Sequence, residues 1–156
     1  MCLCRLKIQK PNNIFQYLLH LFFIFLFFFQ VEHGSKYMIP DSRADTVTIM
    51  LIFIMMLVGG ADIMQPDTSI IFDWGGNYRP ATLNGDWWRL ITSGFIHIGI
   101  IHLLFNMYAL VQIGTMLEGL IGSTRFAVAY LLTCVTSGLL SLMWHDDVVS
   151  AGASGA

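Results

Sequence analysis

Residues 95–117 read FIHIGIIHLLFNMYALVQIGTML, an apolar run that carries His97, His102 and Asn106 in its interior. About 20 such residues wound as a helix cross roughly 30 Å of hydrocarbon. The run therefore reads as a transmembrane helix. Its three polar side chains need partners in protein or in a water-filled cavity, because lipid offers them none. Residues 46–64 and 124–144 are apolar on the same scale, and Asp62 is the only charge in the first of them. The expected fold class is an all-α membrane protein, a polytopic helical bundle with spans over 46–64, 95–117 and 124–144.

Composition points the same way. Of the 156 residues, 56% are hydrophobic and 12% charged, with mean hydropathy +0.67, whereas soluble domains carry roughly a quarter charged residues. A net charge of -2 argues against a nucleic-acid partner or a polybasic lipid-binding face. The lipid bilayer is the expected environment, and the expected location is multi-pass in a plasma or inner membrane. Cys2, Cys4 and Cys134 form neither a disulfide framework nor a zinc spacing. No cofactor is called for.

Between the first two spans, residues 65–94 hold Pro66, Gly75-Gly76, Pro80 and Asn84-Gly85 together with Trp74, Trp87 and Trp88. Turn signals and ring systems that settle at the headgroup level predict an ordered loop. The turn at 118–123 carries Gly119 and Gly122, which makes the second and third spans an antiparallel hairpin. Thr133, Ser137 and Ser141, with Gly138 beside them, form a small-residue stripe that lets a neighbouring helix approach closely. Residues 1–45 form an N-terminal extension with an extra apolar segment at 14–31. Placing the long loop outside requires that segment to be cleaved, peripheral, or an extension upstream of a functional start nearer Met38.

His102 and Asn106 are four residues apart and share one helix face, while His97 lies about 140° away from His102 at about 100° per residue. One reading is interhelical glue, worth about 0.6 kcal/mol and at most about 1.7 in membranes. A second reading makes His97, His102 and His145 metal ligands, against which stand the differing faces and the absence of an HExxH motif. No metal is assigned. A third reading starts from Gly152-Ala153-Ser154-Gly155-Ala156. Small flanking residues suit helix packing or a helix start, and they also leave a serine hydroxyl open, as a nucleophile requires. Two donors on one face then fit the stabilisation of a developing oxyanion. A local triad of Ser154, His145 and Asp147 has no geometric support in a polar connection.

Taken in order, Gly85-Asp86-Trp87-Trp88-Arg89, then His102 and Asn106 after His97, then Gly152-Ala153-Ser154-Gly155 resembles the rhomboid family of intramembrane serine proteases. The resemblance covers about residues 46–156, a partial rhomboid-like core with the fourth and later helices missing. It implies Ser154 as nucleophile at the start of a fourth helix, and His102 and Asn106 as oxyanion-stabilising side chains helped by the serine backbone N–H. Trp88 and Arg89 would be structural or membrane-facing in the long loop, and His97 would support that loop. Gly152 and Gly155 flank the serine. Glu118 matches a glutamate that ties helix ends together, and reads equally as a solvated terminus. The family's general base is a histidine on a sixth helix, so the resemblance implies that these 156 residues alone are inactive. Substrates would be single-span membrane proteins cut near the membrane face. Two alternatives stand beside this: a catalytically dead rhomboid-like protein that binds membrane segments, and a small channel or transporter using the intramembrane histidines.

Overall fold

The computed structural model describes residues 41–144 and 147–152. The apolar segment at 14–31, Cys2, Cys4, His145, Ser154 and Gly155 lie outside the described residues. Helix α1 spans Asp41–Val58. Three short helices follow: α2 (Thr68–Asp73), α3 (Arg79–Leu83) and α4 (Arg89–Thr92). Next, α5 (Ile100–Ala109) passes through a π turn (Leu110–Gly114) into α6 (Thr115–Ile121), and α7 runs Ser123–Trp144. Among the described residues no strand forms; one isolated antiparallel bridge joins Asn77 and Ser150. The fold is all-α.

Two helices, Ile100–Ile121 and Ser123–Trp144, are long and apolar enough to cross a membrane. Both are apolar around most of their circumference. On α7, Phe126, Tyr130, Cys134, Gly138 and Leu142 are buried at four-residue spacing, while Val128, Leu132, Leu139 and Met143 are exposed. A helix with apolar side chains facing both inward and outward is the pattern of a bilayer segment. Helix α1 repeats it: Thr48, Ile49, Ile52, Phe53 and Met56 face the core, and Val47, Leu51, Ile54 and Val58 face out.

The apolar run at 46–64 is longer than the helix it makes. Helix α1 stops at Val58 because Gly60 turns left-handed (φ +95°), and its N–H bonds the Leu57 carbonyl while Ala61 N–H bonds that of Met56. These two bonds are a Schellman termination. Residues 61–67 then run as irregular chain, fastened where the Asp62 carboxylate accepts the Met64 and Gln65 N–H groups at 2.8 Å each. Those two bonds hold its pKa below the ordinary 3.8.

The second span also starts late, at Ile100 rather than at residue 95. Gly99 has φ +87°, and Ile100 N–H bonds the Ile63 carbonyl at 2.8 Å. A Cβ on Gly99 would overlap the Met64 carbonyl. The chain thus enters the helix over the end of the 61–67 segment, and only a glycine allows so close an approach.

Helix α6 and helix α7 are joined by Gly122 alone and pack on each other and on α1. The core lies among α1, α5 and α7, with Ile49, Phe53, Ile96, Leu103, Tyr130 and Cys134 buried together. The long loop folds over one end of it. The small-residue face of α7 meets that loop: Gly138 lies against Leu90 of the one-turn helix α4 and against Asn77.

Candidate active site

Arg89 organises the loop. It is 1% exposed, and its Nη1 donates to the Phe72 carbonyl at 2.6 Å and the Gly76 carbonyl at 3.0 Å. Its Nε donates to Asp86 at 3.0 Å. The guanidinium sits 3.8 Å from the centre of the Phe72 ring and 4.4 Å from that of Trp88. Such a planar fork satisfies several acceptors at once while stacking on aromatics, which a lysine ammonium does not do. Burial lowers the Arg89 pKa, opposed by the hydrogen bond and charge of Asp86 and by the charge of Asp73. Burial likewise raises that of Asp73, with Arg89 pulling the other way. Trp88 therefore serves the loop interior, whereas Trp87 is 69% exposed.

His102 and Asn106 occupy the first turns of α5. Asn106 is buried, and its Nδ2 donates to the His102 carbonyl at 2.8 Å, which ties the amide to the same helix face. His102 Nδ1 accepts the Ile98 backbone N–H at 3.4 Å. That contact leaves the ring proton on Nε2, the tautomer being set by what the other nitrogen binds. The Cε1–Nε2 edge faces Gly152: a Cβ there would overlap the ring. Gly152 has φ +125°, and its N–H donates to the Ser93 carbonyl at 2.8 Å. Residue 152 thus has two reasons to be glycine, one conformational and one steric.

His97 departs from the helical expectation. Residues 95–99 are not helical, and the His97 and His102 rings approach to 5.3 Å between centres instead of pointing apart. His97 is fully buried, with Nδ1 3.4 Å from the Phe95 carbonyl and Nε2 without a hydrogen-bond partner among the described residues. Among the described residues no group of three histidine, cysteine or carboxylate side chains forms a metal cluster.

Glu118 is buried at the far end of the same continuous helix, and Ser123 Oγ, on the first residue of α7, donates to its Oε1 at 2.5 Å. The carboxylate links two helix ends across Gly122. Beside Gly152, a cavity of about 180 Å³ opens between α7 and the segment 150–152, lined by Ser93, Cys134, Ser137, Gly138, Ser141 and Ser150 among others. Ser141 and Ser150 share a hydroxyl hydrogen bond of 3.1 Å.

Two residues escape sequence reasoning. Thr92 Oγ1 donates to the Gly75 carbonyl at 2.8 Å, and Asn77 links three segments. The only local sign of either is the Gly75-Gly76 pair, where the backbone passes close to Thr92 and Ile71 side chains.

The rhomboid domain model matches residues 84–156. The chain is similar to the rhomboid protease GluP of Bacillus subtilis (strain 168), 37% identical over 108 residues that make up 69% of this chain and 20% of that protein. It is similar to rhomboid-like protease 3 of Toxoplasma gondii, 34% identical over 92 residues, 59% of this chain and 35% of that protein. It is also similar to the inactive RHOMBOID-like protein 8 of Arabidopsis thaliana, 30% identical over 95 residues, 59% of this chain and 27% of that protein. The chain thus spans between 20% and 35% of the length of these relatives.

Proposed function

Because the chain is a rhomboid-family protein, matched over residues 84–156, we propose that it contributes the nucleophile half of a multi-pass intramembrane serine endopeptidase. Ser154 is the nucleophile. Its Oγ attacks the scissile carbonyl carbon and passes its proton to a general base, which the family carries on a later helix. The carbonyl oxygen becomes an oxyanion, which His102 Nε2–H and the Asn106 amide stabilise. Collapse of the tetrahedral intermediate expels the amine and leaves an acyl-enzyme that water hydrolyses. An unassisted serine hydroxyl is a weak nucleophile, so the base is indispensable.

The observation that carries this reading is the packing of the His102 ring on Gly152, two residues before Ser154 in sequence, with Asn106 one turn further along the same helix. Donors aimed at a developing charge from a preorganised, water-poor position give the largest single contribution in acyl transfer. The substrates are single-span membrane proteins. Their helical carbonyls are hidden in internal hydrogen bonds, so cleavage falls where glycine or proline weakens the helix.

The test is fluorophosphonate labelling of the full-length protein beside its Ser154→Ala variant. Labelling of the parent and none of the variant is expected; equal labelling of both overturns the nucleophile. Similarity to a relative whose name calls it inactive favours a second reading, a non-cleaving protein that binds membrane segments. An unlabelled parent that still captures a single-span membrane protein would select it.

A further inference from the structure

We propose that Asn77 is a positioning residue for the nucleophile, fixing where the chain that leads to Ser154 crosses the loop and α7. This rests on the assignment of Ser154 above. Asn77 is 0% exposed, an unusual place for an amide on a loop unless every polar group is matched. All four are. Its backbone N–H donates to the Ser150 carbonyl and its carbonyl accepts the Ser150 N–H, both at 2.8 Å. Its Nδ2 donates to the Gly138 carbonyl at 3.0 Å. Its Oδ1 accepts the Thr82 hydroxyl at 2.8 Å.

One residue therefore binds α3, the middle of α7 and the segment before the serine. A Cβ on Gly138 would stand in ordinary contact with Nδ2 at 3.4 Å, and its tighter neighbour would be Leu90 Cδ2 at 3.0 Å. The chemistry selects an amide: Thr82 requires an acceptor and Gly138 requires a donor, and a neutral amide presents one of each at the ends of a short stem. Segment 150–152 borders the cavity of about 180 Å³ on one side. It is also held by the Ser150–Ser141 hydroxyl contact, the Gly152–Ser93 bond, Ala151 against the core and Gly152 against the His102 ring. Ser154 follows Ser150 by four residues, a reach of at most about 14 Å at about 3.5 Å per residue. The position of Ser150 thus bounds where Ser154 can lie.

The experiment measures inactivation of the full-length protein by a fluorophosphonate, resolved into the half-saturating concentration and the maximal rate. Misplacement of a nucleophile by an ångström costs on the order of 100-fold, so Asn77→Ala should lower the maximal rate about 10- to 100-fold and leave half-saturation unchanged. Thr82→Val should lower it by less, and the double variant should be no worse than Asn77→Ala, because both act through one amide. Asn77→Asp supplies the same donor and acceptor only while its carboxyl is protonated. Relative to the parent at each pH, its rate should recover as the pH falls. If Asn77→Ala does not fold, Thr82→Val and Asn77→Asp decide the matter by the same readouts.

An unchanged maximal rate in folded variants, or a change confined to half-saturation, overturns the role of Asn77 while loss of labelling in Ser154→Ala upholds the nucleophile. Labelling that persists in Ser154→Ala overturns both.

Discussion

His102 earns its place through its neighbours on both sides. The Ile98 N–H fixes the ring by Nδ1, Gly152 abuts the opposite edge, and Asn106 is tied to the His102 carbonyl. If these groups stabilise an oxyanion, His102→Ala and Asn106→Ala in the full-length protein should each lower the rate of substrate cleavage about 10²- to 10³-fold. Effects below a few-fold at both positions would return the pair to interhelical glue. Their pairing was legible in the four-residue spacing, because that interval survives wherever a helix forms. His97 was not legible. Its contact with His102 depends on the helix beginning only at Ile100, after a left-handed Gly99, and periodicity carries no record of where a helix starts. Asn77 was invisible for a related reason: its meaning lies in Gly138, 61 residues away.

At the scale of elements, apolarity marked out the helices and glycine backbone geometry trimmed them. The 46–64 run looks like one span by hydropathy, yet α1 ends at Val58 because Gly60 closes it. What hydropathy omits is the sign of φ. The two left-handed glycines should differ in their tolerance of a side chain. Gly60 has open space around a notional Cβ, whereas Gly99 faces the Met64 carbonyl. Gly60→Ala should cost about 1–2 kcal/mol, the penalty of a left-handed residue alone. Gly99→Ala should cost more and should lower activity, since it shifts the entry to the helix that carries His102. Denaturant titration of the purified variants in detergent gives the ranking; equal losses at both sites would contradict it. The loop at 65–94 shows the reverse case. Its order was foreseeable from the tryptophans and the paired turn signals, but the packing of Arg89 against two rings belongs to its tertiary structure alone.

For the molecule as a whole, the proposed chemistry draws on His102 and Asn106 of α5 together with Ser154, which lies outside the described residues. None of the five histidines is assigned the role of base to Ser154. The 156-residue chain expressed alone should therefore give no Ser154-dependent cleavage, measured with a transmembrane reporter in proteoliposomes; turnover lost in Ser154→Ala would refute this. The π turn at Leu110–Gly114 has a bearing on the whole arrangement. In an unbroken α-helix the interval from Asn106 to Glu118 would set them about 120° apart around the axis, at about 100° per residue. A wider ring that takes up one extra residue reduces this to about 20°. Both side chains are in fact buried, at 8% and 7% exposed. The turn thus works as a phase corrector, bringing the Asn106 end of one long rod and its Glu118 end onto the same meridian.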